Sequence, residues 1–143
     1  YLIAIEGGDG SGKGLATNIV ADILEKEFTF ASVEVTCEPR RDHPLGRLAI
    51  DSVKQKTISP EAEAGLFAAD RIDHSHAWIL PRLQEGKVVV SERNVHSSIV
   101  YQGIVGNLGV DRVAQINAAA LIPDLCIWVD CDPEVALMRI ESG

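Results

Sequence analysis

Residues 5–14 read Ile5-Glu6-Gly7-Gly8-Asp9-Gly10-Ser11-Gly12-Lys13-Gly14, a glycine-rich turn between an apolar run and a helical pattern. The apolar run covers residues 1–5, and apolar residues recur at helical spacing over residues 13–27. A strand, a glycine-rich turn and a helix in this order arrange backbone N–H groups around an anion at the helix N-terminus. The segment therefore predicts a phosphate-binding loop at the start of a β-α-β unit.

Each part of this loop has a physical reason. Glycine lets the backbone turn sharply and approach phosphate oxygens closely. Lys13 brings a positive charge to the outer phosphates, where charge must be neutralised during phosphoryl transfer. We therefore expect the loop to bind a nucleoside triphosphate through Gly7, Gly8, Asp9, Gly10, Ser11, Gly12, Lys13 and Gly14.

The position after Lys13 is unusual, because Gly14 stands where Ser or Thr commonly supplies a hydroxyl for Mg²⁺. The metal would then be held by phosphates, water and carboxylates. Glu92, at the end of an apolar strand, is a candidate magnesium-side carboxylate, with a strand-end ion pair as the alternative. Arg93 beside it would clamp phosphates or form a salt bridge.

The rest of the chain alternates strands with helices. Strands are predicted at residues 1–5, 33–37, 87–91 and 125–129, and helices at 13–27, 44–54, 59–85, 110–121 and from 132 onward. Pro81 is expected to kink or break the long helix. Strands that are apolar on both faces indicate a parallel sheet with helices on both sides, a three-layer α/β/α fold. We expect residues 1–143 to form a single domain.

Composition excludes several classes of function. The formal net charge is -8 and no run of Lys or Arg exists, so we expect no nucleic-acid partner. The longest apolar runs are about five residues, against the roughly 20 of a spanning helix, so we expect no membrane partner. The three cysteines lack metal-ligand spacing and are expected to be free thiols in a cytoplasmic protein. Trp78 and Trp128 are expected in the core. All four histidines are interpreted as ordinary, with contact between His96 and phosphate as an alternative because His96 is close to Arg93 in the sequence.

Five segments together resemble the thymidylate kinase family of P-loop nucleoside monophosphate kinases, and the resemblance extends over essentially the whole chain. They are the loop Glu6-Gly7-Gly8-Asp9-Gly10-Ser11-Gly12-Lys13, then Thr36-Cys37-Glu38-Pro39, Leu66-Phe67-Ala68-Ala69-Asp70-Arg71, Glu92-Arg93-Asn94-Val95-His96-Ser97-Ser98-Ile99-Val100-Tyr101-Gln102-Gly103, and Pro123-Asp124-Leu125-Cys126-Ile127-Trp128-Val129-Asp130 with the helix start after it. The resemblance implies transfer of the γ-phosphoryl group of ATP to thymidine monophosphate (dTMP), with Mg²⁺ as cofactor.

The resemblance also implies roles for individual residues. Lys13, Arg93 and Asp9 would be catalytic: Lys13 on the ATP phosphates, Arg93 between the acceptor phosphate and the transferring group, and Asp9 between donor and acceptor. Phe67 would stack on thymine, although a core aromatic is an equal alternative. The expected substrate-binding set is Glu38, Phe67, Arg71, Ser97, Ser98, Tyr101 and Gln102.

The chain departs from the family at several positions. Cys37 stands where Arg is common, and Arg40 or Arg41 would have to supply that cation. Glu92 replaces Asp and Asn94 replaces Tyr. The family carries an Arg-bearing lid after the last helix, so we expect a lid and further elements after Gly143. The resemblance suggests a homodimer. Two alternatives remain open: a kinase for another nucleoside or nucleotide, and a non-catalytic nucleotide-binding protein.

Overall fold

Four short apolar strands form a parallel sheet. The structure, a computed structural model, describes residues 1–28 and 32–143. The strands are Leu2–Glu6 (β1), Val33–Cys37 (β2), Val88–Glu92 (β3) and Leu125–Trp128 (β4), in the spatial order β2-β3-β1-β4 with every neighbouring pair parallel. All five residues of the central strand β1 are buried. The predicted parallel sheet is confirmed, with the predicted strand ends within one residue of the observed ones.

Seven α-helices and two π-helical segments are seen in the described part of the chain. The α-helices are Lys13–Glu27 (α1), Pro44–Gln55 (α2), Pro60–Asp73 (α3), Leu80–Gln84 (α4), Val95–Ser98 (α5), Val110–Ile116 (α6) and Pro133–Ser142 (α7), and the π-helical segments are His74–Ile79 and Ile99–Val105. Two predicted helix starts are confirmed by side-chain caps. Ser59 Oγ accepts a hydrogen bond from the Ala62 amide at 3.2 Å, and Asp132 Oδ1 accepts one from the Glu134 amide at 2.8 Å.

Alternating strand residues build a core on each face of the sheet. On one face, Ile3, Ile5 and Val90 pack with residues of α1. On the other face, Leu2 and Val89 pack with Ile79 and with partly buried side chains around it. Helices therefore cover both faces, which confirms the expected α/β/α fold. Because all strands are parallel, their carboxyl ends meet at one edge of the sheet, where α/β folds bind ligands.

The long helix predicted over residues 59–85 is present as a continuous helical run, but it is divided into α3, a π-helical segment and α4. Pro81 does not end the helical run, which continues to Gln84; a π-helical segment precedes the proline. At the end of that segment the Leu80 amide donates to the Ser75 carbonyl, five residues back. A π-helical turn accommodates a residue that cannot donate, such as Pro81, without stopping the chain.

Two further expectations are corrected. The helix predicted over residues 110–121 ends at Ile116, because the side chain of Asn117 turns back and donates to the Val113 carbonyl at 2.9 Å. Trp128 is not a core residue, since it is 76% exposed on the edge strand β4. An edge strand has a neighbour on one side only, so an apolar residue there is less covered than the same residue in a central strand.

Candidate active site

The glycine loop connects β1 to α1 at the carboxyl edge of the sheet. Gly10 and Gly12 adopt left-handed backbone conformations, with φ of 78° and 94°. A Cβ atom at Gly10 would lie 2.4 Å from the Ala136 carbonyl oxygen, so α7 packs directly on the loop. Only glycine accepts both the conformation and the close approach. The loop therefore has the geometry of a phosphate cradle at a helix N-terminus.

Lys13 is the first residue of α1, and its side chain folds back over the loop. The ammonium Nζ donates to the Gly8 carbonyl at 3.3 Å and lies 3.8 Å from Oδ1 of Asp9. Burial lowers the pKa of Lys13 below its ordinary value, and the positive charge of Arg93 lowers it further. Phosphate oxygens beside this ammonium would reverse that effect, since negative charge stabilises the protonated form.

Arg93 joins the loop to the elements after β3. Its Nη1 donates to the Gly7 carbonyl at 3.2 Å and to Ser97 Oγ at 2.9 Å, while Nη2 donates to Asp9 Oδ1 at 2.6 Å. The guanidinium also lies 5.4 Å from the ring centroid of Tyr101. Arg93 thus brings together four predicted site residues from two distant parts of the sequence, Gly7 and Asp9 in the loop and Ser97 and Tyr101 after β3.

Glu6, at the end of β1, anchors the start of α5. Its carboxylate accepts hydrogen bonds from the Asn94 amide and, at 2.7 Å, from Ser97 Oγ. Asn94 caps α5 through its own side chain, which accepts from the Val95 amide at 2.6 Å. No separate role was predicted for Glu6, although an acidic residue at the end of a buried strand is a signal of one. The contacts fix Ser97, and with it Arg93, to the central strand.

A cavity of about 860 Å³ opens beside Arg93. This volume lies in the range typical of small-molecule sites. Its lining includes Asp9, Arg93 and all seven predicted substrate-binding residues, namely Glu38, Phe67, Arg71, Ser97, Ser98, Tyr101 and Gln102. One wall of this cavity was not predicted from the sequence. It is supplied by α2 and the segment after it, through residues that include Ile50, Val53 and Ile58. We call this cavity the acceptor cavity.

Arg71 lies at one side of the acceptor cavity and is almost fully buried. Its Nε donates to Glu38 Oε1 at 2.8 Å, and its Nη1 donates to Ser98 Oγ at 2.9 Å and to Asn117 Oδ1 at 2.6 Å. Asn117 was not predicted as a site residue, and nothing local in the sequence identifies it. Partners from three separate elements therefore hold this guanidinium in one orientation.

Gln102 contributes an unsatisfied polar group to the same cavity. Its side chain is buried, and its Oε1 atom has no hydrogen-bond partner among the residues that the structure describes. A buried amide oxygen without a partner costs free energy unless a ligand or water satisfies it. A ligand that brings a hydrogen-bond donor would therefore be favoured here.

Glu92 ends β3 next to the first turn of α1. A Cβ atom at Gly14 would lie 3.8 and 3.9 Å from the two carboxylate oxygens of Glu92, so this carboxylate occupies the side of the loop where the hydroxyl is missing. Across residues 1–28 and 32–143, no cluster of three or more His, Cys, Asp or Glu side chains forms a preassembled metal site. Mg²⁺ commonly binds through one or two carboxylates plus phosphates and water, and the donors present fit that mode.

Cys37 supplies no positive charge at a position where one was expected, and Arg41 is better placed than Arg40 to supply it. Arg40 is occupied by Asp70 and Asp73, at 2.8 and 2.9 Å. Arg41 is exposed, with its Nη1 3.5 Å from Cys37 Sγ and its Nη2 3.8 Å from Glu92. Burial raises the pKa of the Cys37 thiol, so this residue adds no charge of its own near neutral pH.

A second cavity, of about 650 Å³, lies on the other side of the glycine loop. Leu15, Ala16, Ile19 and Ile140 give it an apolar wall, and Arg139 stands at its border. Arg139 Nη1 donates to the Gly10 and Ser11 carbonyls at 3.1 and 3.4 Å. We call this the outer cavity. The sequence analysis did not predict it, because α7 and the loop are more than 100 residues apart.

In the described parts of the chain, no helix combines the length and hydrophobicity needed to cross a bilayer. The three cysteines are free, as predicted.

Comparisons with known proteins agree on one family. A family model described as thymidylate kinase matches residues 5–143. A Pyrobaculum aerophilum protein named "Probable thymidylate kinase" is 44% identical over 142 residues, which cover 99% of this chain and 70% of that protein. The thymidylate kinase of Lactobacillus delbrueckii subsp. bulgaricus is 38% identical over 146 residues, covering 98% of this chain and 68% of that one. The crystal structure of thymidylate kinase from Ehrlichia chaffeensis superposes with a TM-score of 0.81 at 27% identity, covering 99% of this chain and 82% of that chain.

Proposed function

The chain belongs to the thymidylate kinase family, and we propose that the residues between the glycine loop and the acceptor cavity carry out the family's reaction in it. That reaction is ATP-dependent phosphorylation of dTMP to thymidine diphosphate, a step of nucleotide biosynthesis. The protein is accordingly a transferase of the kinase class. One observation carries the assignment of roles: Arg93 contacts the phosphate loop and lines the acceptor cavity at the same time.

ATP would bind across the glycine loop. The backbone amides of residues 7–14 and the ammonium of Lys13 would hold its phosphates, whose negative charge would offset the burial that lowers the pKa of Lys13. The nucleoside of ATP would lie in the outer cavity, where Arg139 and an apolar wall suit an aromatic base. The γ-phosphate would then lie on the side of Asp9 and Arg93.

The acceptor dTMP would occupy the acceptor cavity. Phe67 would stack on the thymine ring, and Arg71 with Ser98 would donate to its carbonyl edge. The unsatisfied amide of Gln102 would pair with the ring N–H of thymine. Tyr101, Ser97 and Glu38 would complete the wall around the base and sugar.

Transfer itself would depend on position and charge. Arg93 would bridge the acceptor phosphate and the transferring group, and Lys13 would stabilise the negative charge that develops on the donor side. Asp9 would hold Arg93 in line between them. No side chain needs to remove a proton, because the acceptor phosphate is already ionised at neutral pH. Arg41 would supply the additional positive charge that Cys37 does not.

Glu92 would be the protein carboxylate on the magnesium side, with phosphate oxygens and water as the remaining ligands. When bound, Mg²⁺ neutralises charge on the β- and γ-phosphates and orients them. The fit rests on the Glu92 carboxylate lying where Gly14 leaves space. We also propose that the chain forms a homodimer and is cytoplasmic, and the three free thiols support the cytoplasmic location.

A coupled assay of ADP release tests the function. The purified protein with ATP and Mg²⁺ is offered dTMP and, separately, dCMP, dUMP and GMP. We expect dTMP to give the highest kcat/KM, and Lys13→Ala to abolish both ATP binding and turnover. Turnover with another monophosphate but not with dTMP would overturn the substrate assignment. ATP binding that depends on Lys13, without transfer to any acceptor, would instead support a non-catalytic nucleotide-binding protein.

A further inference from the structure

His74 is a fully buried ionisable residue that the proposed reaction does not use. It is the first residue of the π-helical segment between α3 and α4, and its relative exposure is 0%. Both of its ring nitrogens have partners: Nδ1 lies 2.8 Å from Glu38 Oε2, and Nε2 lies 2.8 Å from Thr36 Oγ1. A histidine held at both nitrogens has a fixed ring orientation.

Glu38 connects this histidine to the acceptor cavity. One of its carboxylate oxygens accepts from His74, and the other accepts from Nε of Arg71. All three side chains are buried, with relative exposures of 3% for Glu38, 2% for Arg71 and 0% for His74. An unbroken chain of hydrogen bonds therefore runs from Thr36 on β2 to Arg71, which lines the acceptor cavity.

The direction of each hydrogen bond follows from the chemistry of the groups. Paired with Arg71, Glu38 is a carboxylate and can only accept, so Nδ1 of His74 must carry a hydrogen. Without His74, one carboxylate oxygen of Glu38 would be buried and unsatisfied, and the side chain could rotate away from Arg71. Arg71 Nη1 would still contact Ser98 and Asn117, and Nη2 the Asn94 carbonyl, but Nε would lose its charged partner, which weakens the hold on the guanidinium.

We propose that His74 is a positioning residue for acceptor recognition, holding Glu38 so that Arg71 presents its donors to the base edge of the nucleotide monophosphate. This inference rests on the proposed role of Arg71 in binding the base. Thymine has a carbonyl group at the edge where cytosine has an amino group, so an oriented hydrogen-bond donor favours binding of thymine over cytosine. His74 therefore contributes to discrimination between dTMP and dCMP without touching either.

Two substitutions at His74 separate positioning from packing. His74→Leu removes both hydrogen bonds, whereas His74→Asn leaves a smaller side chain but retains an amide donor close to the position of Nδ1. The Thr36→Val substitution keeps nearly the same side-chain shape and removes only the hydrogen bond between Thr36 and His74. His76→Leu is the matched control, because His76 is an exposed histidine two residues away that bonds the Ala119 carbonyl.

The measurements are KM for dTMP, KM for ATP and the ratio of kcat/KM for dTMP over dCMP. For His74→Leu we expect KM for dTMP to rise about tenfold and the ratio to fall by a similar factor, the usual effect of losing a hydrogen bond to a charged group. KM for ATP should change less than about twofold. His74→Asn should recover most of the ratio, Thr36→Val should lose part of it, and His76→Leu should match the unmodified protein.

Three results would overturn the inference. They are equal ratios for His74→Leu and the unmodified protein, equal losses for His74→Leu and His74→Asn, and a parallel rise of both KM values. Arg71→Lys distinguishes this failure from failure of the proposed function. If Arg71→Lys leaves KM for dTMP and the ratio unchanged, the role of Arg71 is wrong. If Arg71→Lys lowers the ratio and His74→Leu does not, only the positioning role of His74 is wrong.

Discussion

Oδ1 of Asp9 lies 2.6 Å from Nη2 of Arg93, which ties the phosphate loop to the residue that follows β3. Arg93 has a positive φ of 71°, a conformation that costs free energy in a non-glycine residue. Its contacts with Gly7, Asp9 and Ser97 hold it there. The guanidinium is therefore oriented before any nucleotide binds, and preorganised charge is what phosphoryl transfer needs.

Arg93→Lys should lower kcat by a factor on the order of 10² to 10³, the usual effect of removing one preorganised transition-state donor. Lysine keeps the charge but has a single donor centre, so it cannot contact Gly7, Asp9 and Ser97 together as the planar guanidinium does. Steady-state kinetics with ATP and dTMP measure the change. Arg112→Lys is a matched control, because Arg112 forms an exposed ion pair with Glu61. A loss of less than about threefold in Arg93→Lys would contradict the proposed role.

Gly14→Ser should lower the Mg²⁺ concentration needed for half-maximal activity by severalfold. The added Cβ would meet the Glu92 carboxylate at 3.8 to 3.9 Å, an ordinary contact, so the fold should tolerate it. The new hydroxyl would then lie beside the proposed metal carboxylate. Gly14→Ala adds the same Cβ without the hydroxyl and should leave the Mg²⁺ requirement unchanged. Identical Mg²⁺ titrations for the Ser and Ala variants would show that the metal lies elsewhere.

ATP binding should take up a proton on the alkaline side of neutrality. Burial, together with Arg93, lowers the pKa of Lys13 in the free protein, and phosphate oxygens would raise it in the complex. When binding raises the pKa of a group, that group stabilises the complex fully at pH values below its pKa in the free protein. This stabilisation is lost as the pH rises through its pKa in the complex. The affinity for ATP should therefore fall between these two pH values.

Calorimetry in two buffers of different ionisation enthalpy measures the number of protons taken up. Lys13→Arg should abolish the uptake, because arginine does not deprotonate in this range. The phosphate groups themselves titrate near pH 6, well below the window. Equal binding enthalpies in the two buffers, across alkaline pH, would contradict the assignment of Lys13 to the phosphates.

Two glycine-to-alanine substitutions should change stability in opposite directions. A Cβ at Gly46, at the start of α2, would lie 1.8 Å from the Arg40 carbonyl oxygen, so Gly46→Ala forces the backbone to move and should cost about 1 to 3 kcal/mol. A Cβ at Gly65, within α3, meets nothing within 4 Å, so Gly65→Ala should stabilise by up to about 1 kcal/mol. Chemical denaturation of both variants measures the free energy of unfolding. Equal shifts in the same direction would contradict the close packing at Gly46.

Local pattern predicted the strands, the loop and most helix starts correctly. The caps at Ser59 and Asp132 depend on residues within three positions of each other, and the apolar strands depend on their own composition. The prediction over residues 110–121 was wrong because the side chain of Asn117 bonds the Val113 carbonyl and also Arg71, which is 46 positions away in the sequence. Trp128 was misassigned because the position of β4 at the sheet edge cannot be read from its sequence.

The sequence by itself determined the phosphate loop and the α/β/α fold, because glycine conformations, helix caps and apolar runs act over a few residues. The family followed from the resemblance of five segments of the sequence. Only the tertiary structure decided how the site is held. It showed that Arg41 rather than Arg40 stands beside Cys37, that Glu6 fixes α5, and that Glu38 lies between Arg71 and His74. These contacts join residues from different strands and helices, and the packing of the sheet determines which of them meet.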